Sequence, residues 1–148
     1  MVEIENHEIL EGTAHFGTEP VSLADARSRF DNEHDVYPYW VAVDGGRVIG
    51  FARSGPWKTR EAYRYTTEIG VYVRQSSQGK GVAKAIYREF LPSLKDAGFK
   101  TVIAGIALPN PASIKLHERF GLIRVGTLPK VGYKFDLWLD VGYWALTF

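Results

Sequence analysis

The stretch of residues 67–90 constrains the fold most, because its hydrophobic pattern changes from that of a strand to that of a helix. In its first half, the β-branched residues Ile69, Val71 and Val73 stand at every second position, which is typical of a strand. From Val82 onward, apolar residues recur at helical spacing: Val82, Ile86, Phe90 and Leu91. The glycines Gly79 and Gly81 lie between the two patterns and predict a tight turn, whose free N–H groups at the helix N-terminus can bind an anion.

The turn has two possible interpretations. It lacks both common nucleotide-binding glycine patterns and could be an ordinary turn. It also resembles the Q/R-x-x-G-x-G/A signature of the GCN5-related N-acetyltransferase (GNAT) superfamily, matched by Gln78, Gly81 and Ala83. The resemblance implies a loop that holds the pyrophosphate of acetyl-coenzyme A (acetyl-CoA). The implied contacts are Gln78, Gly79, Lys80, Gly81, Val82, Ala83 and Lys84.

Composition limits the remaining function classes. The chain has 148 residues, 45% of them hydrophobic, which suits one domain with one core. A net charge of +1 without a clustered basic stretch argues against nucleic acid or a membrane surface as partner. Without a long apolar run or a signal peptide, we expect a cytoplasmic protein. The absence of cysteine excludes disulfides, thiolate metal sites and a cysteine acyl-enzyme, and we expect no metal.

The first third of the chain predicts helices and a hairpin. Residues 4–10 read as the end of a helix. Ser22 followed by Asp25 predicts a capped helix to about Asn32, with Leu23, Ala26 and Phe30 on its buried side. Asp44, Gly45 and Gly46 predict a hairpin between strands at residues 39–43 and 47–54, and Gly55 and Pro56 end the second strand.

The second half alternates helices and strands. We expect Pro92 to kink or break the helix that begins at Val82, and Gly98 to close it. The apolar run of residues 101–108 predicts a strand that is buried on both faces and parallel to the strand of residues 67–73. Residues 112–121 predict a short helix.

That short helix carries a second pattern that resembles the superfamily, N-x-x-A/S-x-x-x-Y/H-x-x-x-G-F, through Asn110, Ser113 and His117. The resemblance implies that Asn110 bonds the pantetheine arm and that His117 faces the thioester. It also implies that the backbone of Val71, Tyr72 and Val73 holds the pantetheine like an added strand.

Several segments resemble the phosphinothricin N-acetyltransferase family, which includes enzymes acting on methionine sulfoximine and methionine sulfone. They are residues 13–16, 55–60, 62–63, 107–110 and 131–144. The resemblance implies an α+β acetyltransferase fold in a single domain, residues 1–148, with a central mixed, twisted sheet flanked by helices. Members of the superfamily usually open with a strand, so we expect that strand to be missing here, leaving an open sheet edge and making a homodimer plausible.

The chemistry of acetyl transfer identifies two candidate catalytic residues. An ammonium group must lose a proton before it attacks a thioester. Glu68 matches the base in the family pattern T-x-E-x-x-V-Y-V, although a carboxylate at a strand start is often merely exposed. His117 can exchange a proton near neutral pH, and the family pairs it with the glutamate, although a histidine between Leu116 and Phe120 is often structural.

The acceptor implied by the resemblance carries two anionic groups and one amine. Lys58 and Arg60 suit the anions, although both could be surface charges. Phe16, Tyr63 and Tyr72 match positions that line the substrate pocket, although each could be a core aromatic. Other functions stay open: a polyamine or peptide acceptor, a non-catalytic acyl-CoA-binding module, or a phosphate-binding protein.

Overall fold

The computed structural model describes all residues from Met1 to Phe148. Four helices and six strands follow one another along the chain. They are α1 (Val2–Glu11), α2 (Leu23–Glu33), β1 (Tyr39–Asp44), β2 (Arg47–Pro56), β3 (Thr66–Val73), α3 (Val82–Asp96), β4 (Thr101–Leu108), α4 (Pro111–Arg119), β5 (Ile123–Lys134) and β6 (Leu137–Thr147). None of the helices is both long and apolar enough to cross a membrane.

The six strands form one sheet in the order β1-β2-β3-β4-β6-β5. Only β3 and β4 are parallel, and every other neighbouring pair is antiparallel. The mixed sheet and the parallel arrangement of β4 confirm the predicted fold class. β1 has β2 as its only partner, so that edge of the sheet is open in this chain.

The pairing of β3 with β4 ends early and leaves a gap in the sheet. It joins only Thr66, Thr67 and Glu68 to Thr101, Val102 and Ile103. Beyond Glu68, β3 stays paired to β2 as far as Val73, while β4 stays paired to β6 as far as Leu108. The two strands therefore diverge, and the peptide groups of β3 that face the gap have no strand partner.

The two faces of the sheet are covered by different helices. On one face, here called the α3 face, α3 packs on a core that includes Ala52, Ile69 and Val102, and Leu116 of α4 packs against the same core. Alternate residues of a strand point to opposite faces. Arg53, Glu68, Gly70 and Tyr72 therefore point to the other face, here called the α1 face, where Glu5 of α1 pairs with Arg53.

Several local predictions are confirmed and others are wrong in part. Ser22 caps α2 by accepting a hydrogen bond from the Asp25 N–H at 3.0 Å. Leu23, however, is 75% exposed, and no residue of α2 is buried, because the helix covers only the margin of the α1 face. Strand β2 does not end before Gly55, since Gly55 and Pro56 still pair with Glu68 and Thr67.

Of the two outcomes expected at Pro92, a kink or an early break of the helix, the break is wrong. The helix continues to Asp96, and Gly98 follows it with φ = 92° as predicted. Phe90 and Leu94 are fully buried on either side of the proline. Packing on both sides outweighs the hydrogen bond that the proline cannot make.

Candidate active site

The gap between β3 and β4 opens into a cleft of about 1020 Å³. Its lining includes residues of the α3 face, such as Gly81, Asn110 and His117, and residues of the α1 face, such as Glu68 and Tyr72. The cleft therefore passes through the sheet, and a ligand can approach the gap from either face.

The predicted anion-binding turn lies at the α3 end of this cleft. Gly79 and Gly81 have φ values of 73° and 82°, which glycine adopts without strain. No side chain caps α3, so the N–H groups of its first turn are free for a ligand. Gln78 donates from Nε2 to the Val73 carbonyl at 3.1 Å and ties the turn to the end of β3.

Most of the predicted coenzyme contacts line the cleft. They are Val71, Tyr72, Val73, Gln78, Gly79, Gly81, Val82, Ala83, Lys84 and Asn110, whereas Lys80 does not line it. The Asn110 side-chain oxygen accepts a hydrogen bond from the Ser113 N–H at 3.1 Å and caps α4. Its amide nitrogen has no partner in the protein and can donate to a ligand.

Glu68 lies beside the gap with a free carboxylate. It is half-buried, lines the cleft and makes no ion pair or side-chain hydrogen bond. A Cβ on Gly105 would lie 3.4 Å from Glu68 Oε1, so the glycine leaves room for the carboxylate. Burial raises the pKa of Glu68, and the charges of Lys58 and Arg53 oppose that rise. A carboxylate with a raised pKa is a better proton acceptor.

Tyr143 of β6 lies next to this carboxylate, and sequence reasoning did not identify it as a site residue. It pairs with Gly105 across β4 and β6 and lines the cleft. Burial raises the pKa of its hydroxyl, and the charge of Glu68 adds to the rise. Only the strand register reveals this proximity, since the two residues are far apart in sequence.

His117 lines the cleft from the α3 face, but both of its ring nitrogens are engaged. Nδ1 lies 2.7 Å from the Ser113 carbonyl, and Nε2 lies 2.9 Å from the Tyr87 hydroxyl. A carbonyl only accepts, so we assign the proton to Nδ1, and the Tyr87 hydroxyl donates to Nε2. Burial lowers the pKa of His117, which favours the neutral ring. His117 and Glu68 approach the gap from opposite faces, and no hydrogen bond joins them.

The structure brings together only some of the predicted acceptor-binding residues. Phe16 and Tyr72 line the cleft on the α1 face, whereas Lys58, Arg60 and Tyr63 do not line it. Lys58 places its Nζ 4.8 Å from the ring centroid of Trp57. Tyr63 ends a short turn of 3-10 helix, Glu61–Tyr63, and is exposed, as is Arg60.

A buried cluster of charges adjoins the cleft on the α1 face and was not anticipated from sequence. The Glu5 carboxylate lies 2.7 Å from Arg29 Nη2, 3.5 Å from Arg53 Nη2 and 3.5 Å from His15 Nε2. Burial alone would raise the pKa of Glu5, but the adjacent His15 imidazole, the hydrogen bond from Arg29 and the charge of Arg53 lower it to about 2. Of these residues, His15 and Arg53 line the cleft.

No group of three or more His, Asp or Glu side chains in this structure is arranged to hold a metal ion. The polar groups that line the cleft include the free N–H groups at the start of α3, the Glu68 carboxylate and the hydroxyls of Tyr72 and Tyr143.

Known proteins resemble this chain over nearly its whole length. The model of the acetyltransferase (GNAT) family matches residues 2–122. The phosphinothricin N-acetyltransferase of Streptomyces viridochromogenes is 42% identical over 99% of this chain and 80% of its own length. The L-methionine sulfoximine/L-methionine sulfone acetyltransferase of Pseudomonas aeruginosa is 36% identical over 99% of this chain and 86% of its own length.

A solved structure also resembles this chain over nearly its whole length. The crystal structure of a phosphinothricin acetyltransferase from Sinorhizobium meliloti, in complex with acetyl-CoA, superposes with a TM-score of 0.94. It is 34% identical in sequence, and the match covers 99% of this chain and 80% of that one.

Proposed function

Because the chain belongs to the acetyltransferase (GNAT) family, we propose that it transfers the acetyl group of acetyl-CoA to the amine of a small amino acid or analogue. The acceptors are of the phosphinothricin, methionine sulfoximine or methionine sulfone type, as the names of the two relatives suggest. One observation carries the proposal: a single cleft joins an uncapped helix N-terminus on one face of the sheet to a free carboxylate, Glu68, on the other.

The α3 face suits the donor. Bound acetyl-CoA supplies an activated thioester. The N–H groups at the start of α3, after Gly81, are placed to bind its pyrophosphate. The unpaired edge of β3 at Val71–Val73 can bond its pantetheine amides as a neighbouring strand would, and the Asn110 amide can donate to the same arm.

The α1 face suits the acceptor. Glu68 accepts a proton from the ammonium group, directly or through a water molecule, and the neutral amine then attacks the thioester carbonyl across the gap. The C–N bond forms, the C–S bond breaks, and the released CoA thiolate takes up the second proton that the nitrogen loses. A backbone N–H on the free edge of β3 can polarise the thioester carbonyl. The absence of cysteine excludes a cysteine acyl-enzyme, and direct attack by the amine requires no other nucleophile of the protein.

We assign His117 a positioning role in this scheme. The neutral ring bonds to the Ser113 carbonyl within α4 and to the Tyr87 hydroxyl of α3. It therefore joins the two helices and fixes α4, which presents Asn110 to the cleft. The acid–base role implied by the family resemblance stays a prediction. It requires His117 to exchange one of its two hydrogen bonds for a contact with the reacting groups.

Thiol release from acetyl-CoA tests the proposal. The acceptors are phosphinothricin, methionine sulfoximine and methionine sulfone, beside a polyamine and a short peptide, with Glu68→Gln as the control for contaminating activity. We expect release with the amino-acid analogues. Release only with the polyamine or the peptide would identify that amine, and not an amino acid, as the acceptor class. Tight acetyl-CoA binding without release to any amine would identify a non-catalytic binding module.

The remaining expectations concern the molecule as a whole. All six strands belong to one sheet, which supports one acetyltransferase domain over residues 1–148. The open edge at β1 supports pairing of two copies as a homodimer. The cytoplasmic location stays a prediction.

A further inference from the structure

Arg53 is a charged side chain in a part of β2 that is otherwise apolar or small. Its neighbours Phe51, Ala52 and Ser54 are buried. Arg53 points to the α1 face and pairs across the sheet with Gly70, which has no side chain. The Tyr72 ring covers Gly70, with its hydroxyl 3.3 Å from the Cβ position. The guanidinium therefore reaches the cleft beside Tyr72.

The ion pairing of Arg53 is incomplete. Its one ion-pair partner is Glu5, at 3.5 Å, and Arg29 holds the same carboxylate at the shorter distance of 2.7 Å. The Glu5 side chain is 2% exposed, whereas that of Arg53 is 25% exposed. Two guanidinium groups thus share the Glu5 carboxylate, and Arg53 is the one of the two that lines the cleft.

The neighbouring charges suit an acceptor that carries both signs. Arg53 and Glu68 lie on the same face of adjacent strands, as diagonal neighbours across the β2–β3 pair. The Cα atoms of such residues lie about 7–8 Å apart. One carbon separates the amine of an α-amino acid from its carboxylate, so the amine can meet Glu68 while the carboxylate meets Arg53. Glu8 and Glu33 also line this face of the cleft and favour the ammonium form of the arriving amine.

We propose that Arg53 binds the carboxylate of the acceptor amino acid and thereby selects α-amino acids over simple amines. This inference rests on the proposed function. A guanidinium matches a carboxylate with two parallel hydrogen bonds, which fixes the orientation of the acceptor as well as its position. Lys58 and Arg60, the cations expected from sequence to bind anions, do not line the cleft.

The test compares two acceptors that differ only in the carboxylate, methionine sulfone and methionine sulfone carboxamide. For Arg53→Gln we expect the KM for methionine sulfone to rise about tenfold or more, with a much smaller change in kcat. The KM for the carboxamide should change less than about twofold. Arg53→Lys keeps the charge but loses the bidentate fork, so its KM for methionine sulfone should lie between those of the wild type and Arg53→Gln.

Arg29→Gln is the matched control, because Arg29 also pairs with Glu5 but does not line the cleft. Equal KM increases in Arg29→Gln and Arg53→Gln would show that the cluster only maintains the fold and would overturn the proposal. An effect of Arg53→Gln on phosphinothricin alone would assign Arg53 to the side-chain phosphinate and would also overturn it. Absence of acetyl transfer to every amino acid by the wild type refutes the proposed function itself. Transfer with an unchanged KM in Arg53→Gln refutes only the role of Arg53.

Discussion

The Tyr87 hydroxyl donates a hydrogen bond to His117 Nε2 over 2.9 Å, and neither side chain is more than 3% exposed. The ring of His117 meets that of Tyr87 edge-on, with centroids 5.4 Å apart. This contact joins the helix that follows the anion-binding turn to the helix that carries Asn110. It also occupies one of the two ring nitrogens of a histidine that lines the cleft.

Tyr87→Phe should destabilise the protein. The change removes the donor and leaves the buried Nε2 of His117 without a partner, which typically costs about 1–3 kcal/mol of unfolding free energy. Urea unfolding at neutral pH measures this loss. Tyr63→Phe is the control, since Tyr63 is exposed and its hydroxyl makes no hydrogen bond in the protein. Equal stability of the two variants would argue against the Tyr87–His117 bond.

Glu68→Gln should lower kcat by about 10² or more, because the amide cannot accept the proton of the ammonium group. Affinity for acetyl-CoA, measured by calorimetry, should stay unchanged. Because the pKa of Glu68 is raised, kcat/KM of the wild type should fall on acidification with a midpoint above pH 4.5. This fall should disappear in the variant. Glu61→Gln, an exposed carboxylate outside the cleft, is the control. Near-normal turnover of Glu68→Gln would exclude Glu68 as the base.

Gly81→Val should weaken acetyl-CoA binding by about tenfold or more. A side chain at φ = 82° is strained and projects where the backbone must approach the pyrophosphate. Calorimetric titration with acetyl-CoA measures the effect.

Gly45→Val provides the matched control, because Gly45 also has a positive φ, 54°, but lies in the β1–β2 turn outside the cleft. It should lose stability and keep its affinity for acetyl-CoA. If both variants bind acetyl-CoA like the wild type, the turn before α3 does not hold the coenzyme.

Acidification should destabilise the protein through Glu5. Its pKa is about 2 in the folded state against 4.5 for an unperturbed glutamate, so the unfolded state binds a proton first as the pH falls. The stabilisation is complete above pH 4.5 and is lost as the pH falls toward 2. A shift of this size corresponds to about 3 kcal/mol.

Urea unfolding at pH 6 and pH 3 measures this dependence. Glu5→Gln should show a smaller loss of stability between the two pH values than the wild type, because its side chain does not titrate. His117 also makes both proteins less stable on acidification. Its pKa is lowered in the folded state, so the unfolded state binds protons more readily below pH 6.5. Identical pH dependence in the two proteins would contradict the folded-state pKa assigned to Glu5.

Local features of the fold were predictable from sequence because a few neighbouring residues determine them. The turn at Gly45 and Gly46, the cap at Ser22 and the glycine turn before α3 all depend on side chains within three or four positions. The hairpin between β5 and β6 had no such signal. Its turn places Phe135 and Asp136 at φ values of 52° and 59°, and a bulky residue such as Phe135 rarely adopts a positive φ.

The sequence by itself determined the glycine turn, Glu68 at the start of β3 and Asn110 at the start of α4, because each depends on short-range patterns. The tertiary structure alone decided which of these face the same space. The divergence of β3 from β4 left a gap with Glu68 and His117 on opposite sides. The strand register brought Tyr143 beside Glu68 and put Arg53, rather than Lys58 or Arg60, in the cleft. Strand register and helix packing set these proximities, and both arise from contacts between residues that are distant along the chain.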